Sequence, residues 1–197
     1  MPAVPKFHNA PAYVPGWQLR AAVDALDAGA VIAYPTEAVW GFGCEPMNQA
    51  AVERLLAIKR RDWRKGLILI GSDFDQLAPY VVVPSRMAWR RARQSWPGPA
   101  TWVFPASEEA PMWISGDRDT IAVRVTAHPV AAALCKAWGG ALVSTSANRD
   151  GEPPAHSATE VRRRFGRQLG AIVPGALGGL DRPTTIREAA TGHILRR

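Results

Sequence analysis

From Lys59 to Lys65 the chain reads Lys-Arg-Arg-Asp-Trp-Arg-Lys, five cations in seven residues. Arginine forks grip phosphate oxygens in pairs and lysine adds a point charge, so this density suits a triphosphate clamp. It also follows a helical stretch, where cations complement the negative end of the helix dipole or simply face solvent. A second polar group, Ser144-Thr145-Ser146-Ala147-Asn148, stands directly behind an apolar run. Its hydroxyls and amide can bond phosphate, ribose or an amino acid, and are equally at home forming a turn. Thr36 and Glu37 follow another apolar run and lead to Gly41-Phe42-Gly43, a Gly-x-Gly turn in which the missing side chains let the backbone approach a ligand. A hydroxyl-capped bend is the plainer reading. Arg124 interrupts Ile121-Ala122-Val123-Arg124-Val125. Alternation places Ile121, Val123 and Val125 on one face of a strand and Ala122 with Arg124 on the other. If that second face is covered, Arg124 requires an anion, either a substrate carboxylate or a structural Asp or Glu. Last, the glycine-rich stretch from Gly175 feeds Thr184-Thr185-Ile186-Arg187, and residues 175–183 could serve as a loop or a lid.

Several other chemistries lack their residues. There is no G-x-x-x-x-G-K-[ST] loop, no G-x-G-x-x-G after a strand and no G-x-S-x-G elbow. His8, His128, His156 and His193 form no metal-ligand spacing, and Cys44 and Cys135 stand far apart without a C-x-x-C. No apolar run approaches the ~20 residues of a membrane span, and the N-terminal stretch lacks the apolar segment of a signal peptide. A reducing, cytoplasmic setting is expected. The 197 residues, 47% hydrophobic and 21% charged, suit one globular domain, and the net charge of +7 suits an anionic partner, a nucleotide or a nucleic acid.

Helices and short β-runs alternate around these groups. Helices are expected over Trp17–Ala28, Gln49–Ile58, Pro84–Trp96, Pro129–Trp138 and Ser157–Phe165, the last with Ser157 as N-cap. Strands are expected over Ala30–Tyr34, Leu67–Ile70, Thr101–Phe104, Thr120–Val125, Ala141–Ser144, Thr184–Arg187 and His193–Arg196. The pattern predicts an α/β fold with a single mixed sheet and flanking helices, preceded by an extended arm over residues 1–16.

Together these segments resemble the YrdC/TsaC family, the threonylcarbamoyl-AMP synthases. The resemblance rests on YPTEAVWGFGC (34–44), the K-x-R signature Lys59-Arg60-Arg61, KGLILI (65–70), PGPAT (97–101), TIAVRV (120–125), the S-x-N signature Ser146-Ala147-Asn148, and TTI with TGHILR between 184 and 196. KGLILI and the length resemble the bacterial short form. The resemblance implies an open, twisted single domain with a large concave basic cavity. It implies condensation of L-threonine, bicarbonate or carbon dioxide, and ATP to threonylcarbamoyl-AMP and pyrophosphate, with Mg²⁺ on the triphosphate. A transferase complex of the TsaB/TsaD/TsaE type would then modify tRNAs reading ANN codons. By family position Lys59 and Arg61 would be catalytic. Lys59, Arg61, Lys65, Thr120, Ser146, Asn148 and Arg196 would bind ATP. Thr36, Arg124, Ser144 and Thr184 would hold threonine.

Two residues depart from the family pattern. Asp62 stands where proline is common, and its carboxylate could compete with phosphate for Arg61. Trp63 is bulky there, a surface residue or an adenine-side contact. A rival reading is an RNA-binding module without catalysis, using Arg86, Arg90, Arg91 and Arg93 with Arg162, Arg163, Arg164 and Arg167.

Overall fold

The computed structural model describes residues 14–196, so the expected arm lies mostly outside the described residues. The elements in chain order are α1 (Gly16–Asp27), β1 (Ile32–Pro35), β2 (Trp40–Gly43), α2 (Gln49–Lys59), β3 (Ile68–Gly71), α3 (Arg86–Arg93), β4 (Ala100–Pro105), α4 (Met112–Ser115), β5 (Thr120–Val125), α5 (Pro129–Trp138), β6 (Leu142–Ser146), α6 (Ala158–Phe165), β7 (Ala171–Ile172), β8 (Thr185–Glu188) and β9 (Ile194–Arg196). Short polar side chains start three of the helices: Asn48, Ser85 and Ser157 each accept an N–H of the first turn at 3.1 Å. Arg60 ends α2 in the left-handed region at φ 51°, which turns Arg61 out of the helix line.

The nine strands form one mixed sheet in the order β7-β1-β2-β6-β3-β5-β4-β8-β9, with parallel pairs at β1–β7, β3–β5 and β4–β8. The Gly-x-Gly segment is the strand β2, not a turn. Its glycines are sheet residues because a Cβ on Gly43 would lie 2.7 Å from the Val143 carbonyl and 2.8 Å from the Tyr34 ring. Pro35 likewise stays in β1, opposite Trp40.

Period-two alternation divides the sheet's residues between two faces. Leu69, Val123, Val143, Phe42 and Trp102 enter the larger core with Leu55 of α2, Ala88 of α3 and Phe165 of α6. On the opposite face Ile32, Tyr34, Ile70 and Leu142 pack beneath Ala22 and Leu26 of α1 and Leu134 of α5. Farther along, that same face lies beyond the two helices and its composition changes. On β6 the apolar Leu142 gives way to Ser144 and Ser146, and on β5 the face carries Ala122 and Arg124. The uncovered part of this face is where the polar side chains gather.

Residues 173–184 carry the chain from β7 at one edge to β8 near the other, seven inter-strand steps away. At ~4.8 Å per step a flat sheet would need about 34 Å, and twelve residues reach about 40 Å. The crossing segment is tied midway, with Gly178 N–H donating to the Thr36 carbonyl and Leu180 N–H to the Glu37 carbonyl, both at 3.0 Å.

Candidate active site

Two adjoining cavities open on this face. The first, about 290 Å³, is lined by Thr36, Ala38, Gly41, Arg61, Arg124, Ser144, Ser146 and Thr184, among others. The second, about 360 Å³, has an apolar floor of Val103, Ala122, Ile186 and Leu195 and a cationic rim of Arg61, Lys65, Arg118 and Arg196. Arg61, Gly66, Leu67, Ile68 and Arg196 belong to both walls, and neither is lined by a carboxylate.

The basic run is distributed more finely than its density implies. Lys59 is buried, and its ammonium donates to the Ser146 carbonyl, the Asn148 carbonyl at 2.9 Å and the Asn148 Oδ1 at 3.2 Å. Burial, and then the nearby Arg61, push its pKa down to about 8, with Asp150 opposing. Arg60 is exposed at the helix end. Arg61 reaches both cavities while its Nη2 donates to the Gly66 carbonyl at 3.1 Å, and its Nε is buried without a protein acceptor. Arg64 pairs with Asp62 at 3.6 Å and Asp117 at 3.5 Å. Lys65 pairs with Asp150 at the rim and holds that carboxyl below the usual range. Two of the five cations, Arg61 and Lys65, therefore line the cavities.

The expected competition between Asp62 and phosphate is not set up. Asp62 accepts from the Arg64 N–H at 3.0 Å, capping the 3-10 turn Trp63–Lys65, and its ion pair is with Arg64 rather than Arg61. Trp63 packs partly buried against the larger core and lines neither cavity.

The S-x-N loop is built around Asn148. Its Oδ1 accepts from Lys59 and from the Ser146 hydroxyl, and its Nδ2 donates to the Arg149 carbonyl at 2.9 Å and the Glu152 carbonyl at 2.7 Å. The amide is saturated by its own loop. Ser146 lines the first cavity; Lys59 and Asn148 stand behind it.

The four residues expected to hold threonine all line the first cavity. Thr36 also donates to the Val39 carbonyl at 2.7 Å, so the hydroxyl-capped bend is present along with the cavity position. For Arg124 the structural acid is present, beside the cavity position. Its Nη2 lies 3.3 Å from Glu37 Oε2, its Nη1 donates to Thr184 Oγ1 at 2.9 Å, and its Nε is buried with no acceptor in the protein. Burial works against the ionised Glu37, but the Arg124 charge and a 2.7 Å bond from the Thr126 hydroxyl outweigh it and keep the carboxyl below its ordinary value. Thr120 and Arg196 line the second cavity, and Arg196 Nη2 donates to the Thr184 carbonyl at 3.3 Å.

Sequence reasoning missed Glu37 as a partner and Arg118 as a rim residue. Arg118 Nη1 donates to the Lys65 carbonyl at 2.7 Å. The signal for Glu37 was an acid beside the end of a buried strand facing another strand's arginine. Arg118 had none beyond its place two residues before Thr120. Among the described residues no three His, Cys, Asp or Glu side chains converge as a metal site, and no helix is long and apolar enough to cross a membrane.

The chain is similar to known proteins over most of its length. A Threonylcarbamoyl-AMP synthase of Halorhodospira halophila is 60% identical over 182 residues, 92% of this chain and 95% of the relative. One of Alkalilimnicola ehrlichii is 54% identical, again over 92% of this chain and over 96% of the relative. P. abyssi Sua5 solved in complex with L-threonine superposes with a TM-score of 0.84 at 32% identity, covering 89% of this chain and 52% of that one. E. coli YciO gives 0.80 at 28% identity over 91% and 88%. The Sua5/YciO/YrdC family model, described as telomere recombination, matches residues 24–197, and the chain belongs to that family.

Proposed function

We propose that the chain is a threonylcarbamoyl-AMP synthase that joins L-threonine, bicarbonate (or carbon dioxide) and ATP. The observation that carries this reading is the shared wall. A cavity of amino-acid size with a buried arginine and five hydroxyl residues abuts a second one with an apolar floor and four cations, and Arg61 and Arg196 belong to both. The high identity to named synthases supports the same reaction.

In this reading the threonine carboxylate pairs with the Arg124 guanidinium where that residue lines the cavity, since a buried cation with donors to spare favours an anion. Thr36, Ser144 and Thr184 orient the rest of the amino acid. The base and ribose lie on the apolar floor beside Thr120, with phosphates toward Arg61, Lys65, Arg196 and Ser146. Threonine's amine and bicarbonate give the N-carboxylate with loss of water. A carboxylate oxygen then attacks the α-phosphorus, a P–O bond forms to it, and the bond to pyrophosphate breaks. Arg61 and Arg196 at the shared wall stabilise the negative charge that grows there, so catalysis is positioning and electrostatics, with no covalent enzyme intermediate. Lys59 supplies a buried positive charge from behind and, with Asn148, builds the loop that presents Ser146.

Mg²⁺ neutralises triphosphate charge. With no converging acidic cluster among the described residues, phosphate oxygens and water would hold it. The setting is cytoplasmic, and the product passes to a TsaB/TsaD/TsaE-type complex acting on tRNA. The RNA-only reading is weakened because two of its eight arginines serve the fold. Arg91 donates to the Ala189 and Ala190 carbonyls, and Arg164 pairs with Glu152 and Glu160.

The test is incubation of the full chain with ATP, Mg²⁺, L-threonine and bicarbonate. Threonylcarbamoyl-AMP and pyrophosphate that require both threonine and bicarbonate are expected by mass spectrometry. RNA binding with no product and no binding of ATP or threonine overturns the reading.

A further inference from the structure

We propose that Glu37 is a positioning residue for the amino-acid cavity: its buried carboxylate sets the Arg124 guanidinium, and Arg124 sets Thr184, so one acid fixes two walls. The inference rests on the proposed function for the identity of the ligand. Its geometry stands without it.

Glu37 lies in the bend between β1 and β2, where Thr36, Ala38 and Val39 line the first cavity and Glu37 does not. It is 1% exposed. The hydrogen bonds around it run in one direction. The His128 backbone N–H donates to Thr126 Oγ1 at 3.1 Å, so the Thr126 hydroxyl proton is left for Glu37 Oε1, at 2.7 Å. The second oxygen, Oε2, has no hydrogen-bond donor and faces Arg124 Nη2 at 3.3 Å. Thr126 thus fixes the carboxylate, and the carboxylate takes one corner of the guanidinium.

The remaining corners follow. Nη1 is turned to Thr184, 2.9 Å away, and Nε is left without a protein acceptor. A long ion contact at one corner neutralises the buried arginine without occupying its whole fork, so an incoming carboxylate finds donors still open. The same bend reaches the crossing segment through its backbone, because the Thr36 and Glu37 carbonyls accept from Gly178 and Leu180. His128, two residues after Thr126 and bonded to its hydroxyl oxygen, contacts the Ala176 carbonyl through Nε2 at 3.0 Å. The segment that delivers Thr184 is therefore held at three further points, two on Thr36 and Glu37 themselves and one on His128.

The test uses Glu37→Gln in the full chain. Threonine KM is expected to rise about tenfold or more while ATP KM stays within about twofold. Combined with Arg124→Lys, the second substitution should add little to the threonine defect, since both act through one group. A ligand-free readout separates this inference from the proposed function. The Arg124 guanidinium nitrogens, assigned by their loss in Arg124→Lys, should give resolved, slowly exchanging NMR signals in the parent that average in Glu37→Gln. Should Glu37→Gln fail to fold, Thr126→Val removes the fixing donor alone, and a smaller, threonine-selective rise with the same averaging is expected. Equal defects for both substrates, additive effects with Arg124→Lys, or unchanged guanidinium signals would overturn the proposal. A parent that makes no product, with guanidinium signals resolved in it and averaged in Glu37→Gln, would overturn the proposed function and leave the positioning intact.

Discussion

Lys59 is bonded to Asn148 twice, at 2.9 Å through the backbone carbonyl and 3.2 Å through the side-chain oxygen, so the two short signatures of the family meet in one buried cluster. Neither residue lines either of the two cavities. Lys59→Met and Asn148→Ala should each lower kcat/KM at least ~100-fold, and the double variant should lose little more than the worse single one. Each should also cost about 1–3 kcal/mol of stability, read from urea unfolding, because buried partners are left unpaired.

The pH dependence has opposite signs for binding and for folding. Lys59 titrates at about 8 in the folded chain against 10.5 ordinarily. Across that window the unfolded chain keeps a proton the folded one has lost, so this residue's contribution to stability rises with pH. A neutral amine has two N–H groups for three acceptors and no charge for phosphate. ATP affinity should therefore fall from about pH 7 to about pH 9 in calorimetric titrations. In Lys59→Met that decline should be absent.

Arg118 grips the Lys65 carbonyl and completes the rim of the second cavity. Arg118→Gln should raise ATP KM about three- to tenfold and leave threonine KM unchanged, a split that steady-state kinetics with each substrate varied will read.

Arg60 is the one non-glycine residue at positive φ among the described residues, a conformation costing about 1 kcal/mol for a side chain. It is exposed and lines neither cavity. Arg60→Gly should raise stability by about 0.5–1 kcal/mol with activity unchanged, seen as a later urea midpoint.

Gly116, at φ +70°, lies under the turn that carries Lys65. A Cβ there would sit 2.4 Å from the Arg64 carbonyl oxygen and 2.8 Å from Gly66 N. Gly116→Ala should destabilise by about 2 kcal/mol or more and raise ATP KM, since Gly66 and Lys65 must shift. Thermal unfolding and ATP titration together check both effects.

What was legible in the sequence follows the length of each periodic signal. Thr120–Val125 and Pro129–Trp138 have the expected bounds, and the two faces of β5 divide as alternation requires. Trp40–Gly43 was misread because the crowding that demands glycine comes from Val143 and Tyr34, which only the folded sheet brings near. Ala171–Ile172 is two residues long and carries no pattern. Among the site residues, hydroxyls and arginines at strand ends could be read individually. That Asp62 serves Arg64 rather than Arg61 could not be read, because it depends on the backbone turn after Arg60.

The sheet order has a consequence for folding. Thr36 and Arg196 stand 160 positions apart in the sequence and line the same cavity. Contacts that distant close slowly, because a long loop must be ordered before they form. A refolding chain should therefore bury its apolar cores first and acquire a pocket last, when residues 184–196 dock beside β4.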